Sequence, residues 1–219
     1  MTTILGVIKM STQALKKAAV LGAGSMGHGI AQLLIMTGTD VTMVDINDDI
    51  LVKAREKIQW SIDKFVEKRT IRKEDADAAM ARLHTTTSMN DAFKDADLVV
   101  EAAPENLDMK KKLFTQIDKA APKHAILGSN TSTLSITELG KVTSRPDKVV
   151  GLHFFNPPQM MPLLEIIKGA QTSEETTKFA LDLAKKLGKT PVLVKKDVRG
   201  FIVNGILASV FNEAFWAVE

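Results

Sequence analysis

Cysteine is absent from the 219 residues, which excludes disulfides and thiolate chemistry and fits a reducing compartment, with the cytoplasm as the expected location. An excess of either charge is also missing. The 29 basic and 26 acidic residues leave a formal charge of +3, too mild and too evenly spread to argue for nucleic acid, and an anionic small molecule suits that balance as well. No apolar run approaches the length needed to cross a bilayer, so no membrane partner is expected. The opening MTTILGVIK lacks the basic lead and long apolar core of a signal peptide. Internal repeats and low-complexity segments are absent too, and no metal site is expected.

What is present is enough apolar material for a proper core. At 45% hydrophobic residues the chain has the makings of one large domain, or one domain plus a fragment of another. Its organising stretch starts at Ala18. An apolar run from Ala18 to Leu21 breaks at Gly22, and Gly22, Gly24 and Gly27 fall in G-x-G-x-x-G spacing before a helical pattern through Ile30, Leu33 and Leu34 that ends near Gly38. A second strand-like run, Val41 to Val44, stops at Asp45. Strand, glycine turn, helix, strand and acid in that register read as a dinucleotide-binding unit. In such a unit Gly22 makes the tight turn, Gly24 admits a pyrophosphate to the backbone and Gly27 lets helix pack on strand. Asp45 accepts hydrogen bonds from a ribose and repels a 2'-phosphate, which favours NAD over NADP. The bland alternative is a glycine turn without a ligand.

Residues Met1 to Lys17 have no clear place in a sheet and read as a frayed extension (residues 1–16) or a short helix from Thr12 to Lys17. Beyond Asp45, Asn47 is a candidate N-cap for a long helical pattern through Ile50, Ala54, Ile58, Ile62, Phe65 and Val66, followed by a short helix, Glu74 to Arg82. A helical pair is thus inserted before the third strand, Leu83 to Thr87. Ser61 and Lys68 lie seven apart on one face of the long helix; by spacing alone they belong to a solvated charged face. An apolar strand, Leu98 to Val100, ends in Glu101 and leads to Glu105, at the carboxyl end of a parallel strand where open α/β sheets bind ligands. A crossover helix follows (Leu107 to Ala121), then a strand (His124 to Gly128) running into the polar Ser129-Asn130-Thr131-Ser132-Thr133. A hydroxyl of that knot suits the N-cap of the next helix, Ser135 to Gly140.

The sixth strand, Lys148 to Phe155, carries His153. A histidine among apolar residues fits a hydrogen-bonded core residue, but this one sits near the strand's carboxyl end, from which Ser132 and Glu105 also approach. The next apolar run, Leu163 to Ile167, contains one acid. A buried Glu165 needs a partner, with His153 the obvious one across a close return; an edge-strand acid facing water is the alternative. The joint between these runs is too short for a parallel crossover, so the sheet turns antiparallel there. A helix from Ser173 to Leu187 and a strand from Pro191 to Val194 complete it. Residues Asp197 to Gly200 look like a boundary, and Phe201 to Glu219 form an apolar helical pattern too rich in aromatics for a free surface helix.

From about Lys17 onward the chain resembles the L-3-hydroxyacyl-CoA dehydrogenases of fatty-acid β-oxidation and butanoate metabolism. The motifs are VLGAGSMGHGIAQ, VVEAAPEN, SNTS, GLHFFNPP with LLEIIKG, and GFIVN. The resemblance implies a Rossmann-type, doubly wound and mostly parallel sheet over residues 1–197, and over 198–219 the first helix of an all-α domain that carries dimer contacts. It implies NAD as cofactor and an acyl-CoA thioester as substrate. It makes His153 the general base, Glu165 its orienting carboxylate, and Ser132 and Asn204 the partners of the substrate oxygens. It also implies cofactor contacts at Gly22, Gly24, Ser25, Met26, Gly27, Asp45, Glu105, Lys110, Asn130 and Asn156, and reverses the surface reading of Ser61 and Lys68, which become contacts to CoA. One departure is Gly205, where the family commonly has arginine. The competing readings are an NAD-binding module without catalysis and a dehydrogenase of small hydroxy acids that needs no CoA.

Overall fold

A computed structural model describes residues 15–218. Eight strands form one sheet, in the order β3-β2-β1-β4-β5-β6-β7-β8. They are β1 (Lys17–Leu21), β2 (Asp40–Val44), β3 (Leu83–Thr86), β4 (Leu98–Glu101), β5 (Ile126–Ser129), β6 (Val149–Phe154), β7 (Leu163–Ile167) and β8 (Thr190–Val194). Pairing is parallel from β3 through β6; β7 runs antiparallel to β6, and β8 is parallel to β7. The short return after β6 forces that reversal.

Alternation along the strands sends side chains to two separate cores. On one face Val20, Met43, Val100, Leu152 and Leu164 pack with the helices α1 (Gly27–Met36), α2 (Asp48–Glu67), α3 (Lys73–Met80) and α7 (Glu174–Lys186). On the other, Ala19, Val99, Leu127, Val149 and Ile167 pack with α4 (Met89–Phe93), α5 (Leu107–Ala120) and α6 (Ile136–Gly140). Asn47, Ser88, Asn106, Ser135 and Ser173 each accept a backbone N–H at the start of α2, α4, α5, α6 and α7, which sets where those helices begin. The inserted helical pair is α2 and α3. Of the helix expected over Thr12 to Lys17, residues 12–14 lie outside the described residues and the other half is not helical: Leu15 and Lys16 are irregular, and Lys17 is drawn into the parallel ladder that opens β1.

The order of strands makes the binding crevice. The chain moves outward from β1 to β3 and then returns to place β4 on the other side of β1. The loops after β1 and β4 therefore diverge and leave a cleft between them at the carboxyl edge.

The last helix, α8 (Val203–Trp216), has no buried residue. It exposes Ile206, Val210, Phe211, Phe215 and Trp216, an apolar surface that water disfavours. This chain should bind a hydrophobic dye and sediment as a concentration-dependent mixture. Phe211→Glu with Phe215→Glu should reduce both effects without changing the melting temperature. A clean monomer that leaves the dye dark would show α8 to be covered within the chain.

Candidate active site

The glycine loop is built for close approach. Gly22 has φ of +95°, and a Cβ there would meet the Ala102 carbonyl oxygen at 2.7 Å. A Cβ on Gly27 would lie 1.7 Å from the Gly22 carbonyl oxygen, whereas one on Gly24 would meet nothing within 4 Å. Gly22 and Gly27 thus serve the fold, and Gly24 keeps open the space in front of the loop. Asp45 braces this loop from the end of β2. One carboxylate oxygen accepts the Ala23 N–H at 2.6 Å and the other the Ile46 N–H at 2.7 Å. Helix α1 starts at this loop with no side-chain cap on Met26, unlike the five capped helices. The His28 N–H bonds back to the Gly24 carbonyl at 3.3 Å, and the positive dipole end of the helix lies beside the space that Gly24 leaves, which suits an anion. Ser25 is exposed and Met26 half-buried at its rim.

Across the cleft lies a buried polar cluster rooted in β4. Glu101, fully buried, accepts from Ser129 Oγ at 2.6 Å, from the Ala103 N–H at 2.7 Å and from Lys110 Nζ at 2.5 Å. The resemblance sets Lys110 beside the cofactor. In the structure its ammonium is buried, spends a second donor on the Ala103 carbonyl at 3.0 Å, and lies 3.6 Å from Glu105. Lys110 therefore acts on the cleft through Glu105. That acid collects the loop after β5: Thr131 Oγ1 donates at 2.5 Å, and the Ser132 and Thr133 N–H groups at 2.9 and 3.1 Å. Burial presses the Glu105 carboxyl upward, but the Thr131 hydroxyl, the Ser132 N–H, the Lys110 charge and the Thr133 N–H together hold it below the usual glutamate value. Asn130 is fixed from behind, its Oδ1 accepting the Phe154 N–H at 2.9 Å.

The histidine meets its acid where the two antiparallel strands are in register, His153 opposite Glu165. His153 Nδ1 lies 2.7 Å from Glu165 Oε2. A carboxylate only accepts, so Nδ1 carries the proton, and in the neutral ring Nε2 presents its lone pair. Nε2 has no partner among the described residues. The ring packs against Phe155 and Phe201, with centroids 4.5 and 5.6 Å away. The second oxygen of Glu165 accepts the N–H groups of Ile202 and Val203 at 3.1 and 3.0 Å, where the chain turns through Gly200 and Phe201, at φ of +78° and +53°, into α8. One turn on, Asn204 Nδ2 donates to the Ser132 carbonyl at 3.2 Å. The Ser132 hydroxyl has no partner among the described residues. His153, Glu165, Ser132 and Asn204 therefore converge from β6, β7, the loop after β5 and α8. Asn156 is exposed just beyond β6.

The two residues implied for CoA lie apart from this group. Ser61 is buried against α1, where its hydroxyl accepts from Gln32 Nε2 at 3.0 Å; Lys68 is exposed at the end of α2. Several contributors escape sequence reading. Thr131, Glu101 with Ser129, Gln32 and Phe201 all lie within the quoted motifs, but the sequence reading gave none of them a role. Asp197, which lies in no quoted motif, caps α6 through the Ser135 hydroxyl and the Ile136 and Thr137 N–H groups. The VVE run that ends a strand in an acid was the plainest local signal among them.

A doubly wound sheet with a glycine turn at its switch point and an acid closing its second strand defines the dinucleotide-binding class of α/β domain. More narrowly, residues 17–198 match the family model described as 3-hydroxyacyl-CoA dehydrogenase, NAD binding domain, and the chain belongs to that family. It is 43% identical over 205 residues to the rat mitochondrial hydroxyacyl-coenzyme A dehydrogenase, covering 91% of this chain and 65% of that protein. A probable 3-hydroxybutyryl-CoA dehydrogenase of Deinococcus radiodurans is 42% identical over 202 residues, covering 92% and 72%. The crystal structure of (S)-3-hydroxybutyryl-CoA dehydrogenase from Ralstonia eutropha superposes with a TM-score of 0.88 at 43% identity, covering 92% of this chain and 71% of that one. The chain spans just under two thirds of the length of the rat relative. The cofactor of the family is NAD.

Two expectations follow. Gly24→Ala should leave the melting temperature unchanged and weaken NAD binding, whereas Gly27→Ala should destabilise the fold itself; equal thermal losses in both would undo the division of labour. Because the Glu105 pKa is depressed, its contribution to stability is present above the unfolded glutamate value and is lost as pH falls through the lower folded one. Glu105→Gln should therefore melt earlier than the unmodified chain at pH 7. The difference should narrow as pH falls below the ordinary glutamate value and close only beneath the lower folded one. A gap that persists in acid would place the effect in packing.

Proposed function

We propose that this chain is the cofactor-binding and base-bearing part of an L-3-hydroxyacyl-CoA dehydrogenase, oxidising the 3-hydroxyl of an acyl-CoA thioester to a ketone. The observation that carries this reading is the 2.7 Å contact between His153 Nδ1 and Glu165, which leaves Nε2 as a proton acceptor beside Ser132 and Asn204. NAD, when bound, supplies the acceptor for the hydride from C3. The chain's own residues do the rest. Gly22, Gly24, Ser25, Met26 and Gly27 with the N-terminus of α1 receive the pyrophosphate, and Asp45 takes the ribose hydroxyls and disfavours a 2'-phosphate. Glu105, Asn130 and Asn156 edge the nicotinamide side, with Lys110 behind Glu105.

His153 Nε2 removes the alcohol proton while the C3 hydride leaves, and Glu165 stabilises the imidazolium that results. The Ser132 hydroxyl and the Asn204 amide hold the substrate oxygens. Ser61 and Lys68 take part of the CoA. We read residues 1–197 as the NAD-binding domain and 198–219 as the first helix of a helical unit whose apolar face makes homodimer contacts. No nucleic acid or membrane partner enters this reading, and the compartment is the cytoplasm.

The test is NADH formation from 3-hydroxybutyryl-CoA together with NAD binding. His153→Gln should lower turnover roughly 10²- to 10⁴-fold, the usual worth of a general base, with NAD affinity unchanged. Glu165→Gln should slow turnover as well and also loosen the start of α8. Near-full turnover in His153→Gln would make the histidine a core residue. Tight NAD binding by the unmodified chain with no turnover would leave only an NAD-binding module.

A further inference from the structure

Lysine is rarely buried, yet Lys189 is only 8% exposed. It lies between α7 and β8, where its N–H closes α7 on the Ala184 carbonyl at 2.9 Å. No carboxylate answers its ammonium among the described residues, and burial lowers its pKa below the ordinary lysine value. What the ammonium holds is a pair of carbonyls in the loop between β6 and β7. Nζ donates to the Pro158 oxygen at 2.6 Å and to the Met161 oxygen at 2.8 Å.

The composition of that loop explains the need. Pro157, Pro158 and Pro162 have no N–H, and the N–H groups of Met160 and Met161 both go to the Pro157 carbonyl, at 3.0 Å each. The Pro162 carbonyl takes the Thr190 N–H at 2.7 Å. The Pro158 and Met161 carbonyls are left to Lys189, because a carbonyl removed from water without a donor is costly. The other side of the loop rests on the first turn of α1. A Cβ at Gly29 would fall 2.7 Å from Gln159 Oε1 and 3.0 Å from the Pro158 ring, so only glycine lets the loop sit this close. Just before these prolines the same segment carries Phe155, whose ring lies 4.5 Å from that of His153, and the exposed Asn156. The loop thus runs from the imidazole to the helix behind the glycine turn.

We propose that Lys189 is a positioning residue for the nicotinamide end of the cofactor: by holding the β6–β7 loop against α1, it sets Phe155 and Asn156 beside His153. The proposal rests on the reading of the cleft as the NAD site and deepens it, since a lysine from the joint of α7 and β8 decides where one wall of that cleft stands. Lys189 acts through the loop, and Gly29 is the seat on which the loop is held.

The experiment measures, by calorimetry on the full chain, the binding of NADH and of ADP-ribose, which lacks the nicotinamide. Lys189→Met keeps much of the side chain's length and removes its donors. Gly29→Ala leaves Lys189 in place and pushes on the loop from α1. Each should weaken NADH binding roughly threefold to tenfold, the worth of about one hydrogen bond, and leave ADP-ribose binding unchanged. The double variant should lose less than the product of the two effects, because both displace one loop. Amide hydrogen exchange at Met160 and Met161 should quicken in each variant. Equal weakening of NADH and ADP-ribose makes Lys189 a residue of the fold alone and overturns the proposal. Unchanged NADH affinity in Lys189→Met, or losses that multiply in the double variant, overturn it as well. Should Lys189→Met not fold, Gly29→Ala decides: faster exchange in the loop with unchanged NADH affinity shows that the loop's position does not matter to the nicotinamide. In all these cases ADP-ribose still binds the unmodified chain and the reading of the cleft stands, whereas a chain that binds neither ligand overturns both.

Discussion

The structure of the site depends on one buried carboxylate with two obligations. Glu165 is fully buried, and a charge in that position is tolerable only when both oxygens are engaged. One takes the His153 proton side and the other the N–H groups that begin α8. The acid that holds the His153 ring is thus also the cap of the helix that carries Asn204, so the imidazole and that amide are located by the same residue. A gap between the sheet and α8 would leave the carboxylate half satisfied, which supplies a physical reason for the strained turn at Gly200 and Phe201.

The opposite wall repeats the device with different partners. Glu101 and Lys110 neutralise each other beneath the cleft, and their remaining hydrogen-bonding capacity goes to Ser129 and the Ala103 backbone. Glu105, one turn of chain above, is left free to organise the loop that presents Ser132. A buried ion pair of this kind contributes little net stability but is costly to break on one side, so its value here is placement. The same holds for Asp197, whose three donors tie the approach to α8 to the loop leading from Ser132.

Topology explains why these pieces meet. Three parallel strands, β1, β4 and β5, end at one edge, and β6 brings His153 to the same edge. The reversed β7 then enters from that edge, so its Glu165 comes down beside the histidine in direct register. A parallel seventh strand would have placed its equivalent residue a crossover away.

Local patterns in the sequence determined the glycine loop, the doubly wound alternation, the inserted helical pair and the strand-end positions of His153 and Glu105. Each of these is written in residues a few positions apart: glycine spacing, apolar periodicity, an acid ending a strand. The pairing of His153 with Glu165 was legible because only a short return separates the two runs. Tertiary structure alone decided the rest. That Lys110 is buried on Glu101, that Ser61 is held by Gln32, and that the second oxygen of Glu165 caps α8 all follow from contacts between residues 9, 29 and 37 or more apart. No periodicity encodes such contacts, because which polar groups must satisfy one another is settled only when packing removes water from them.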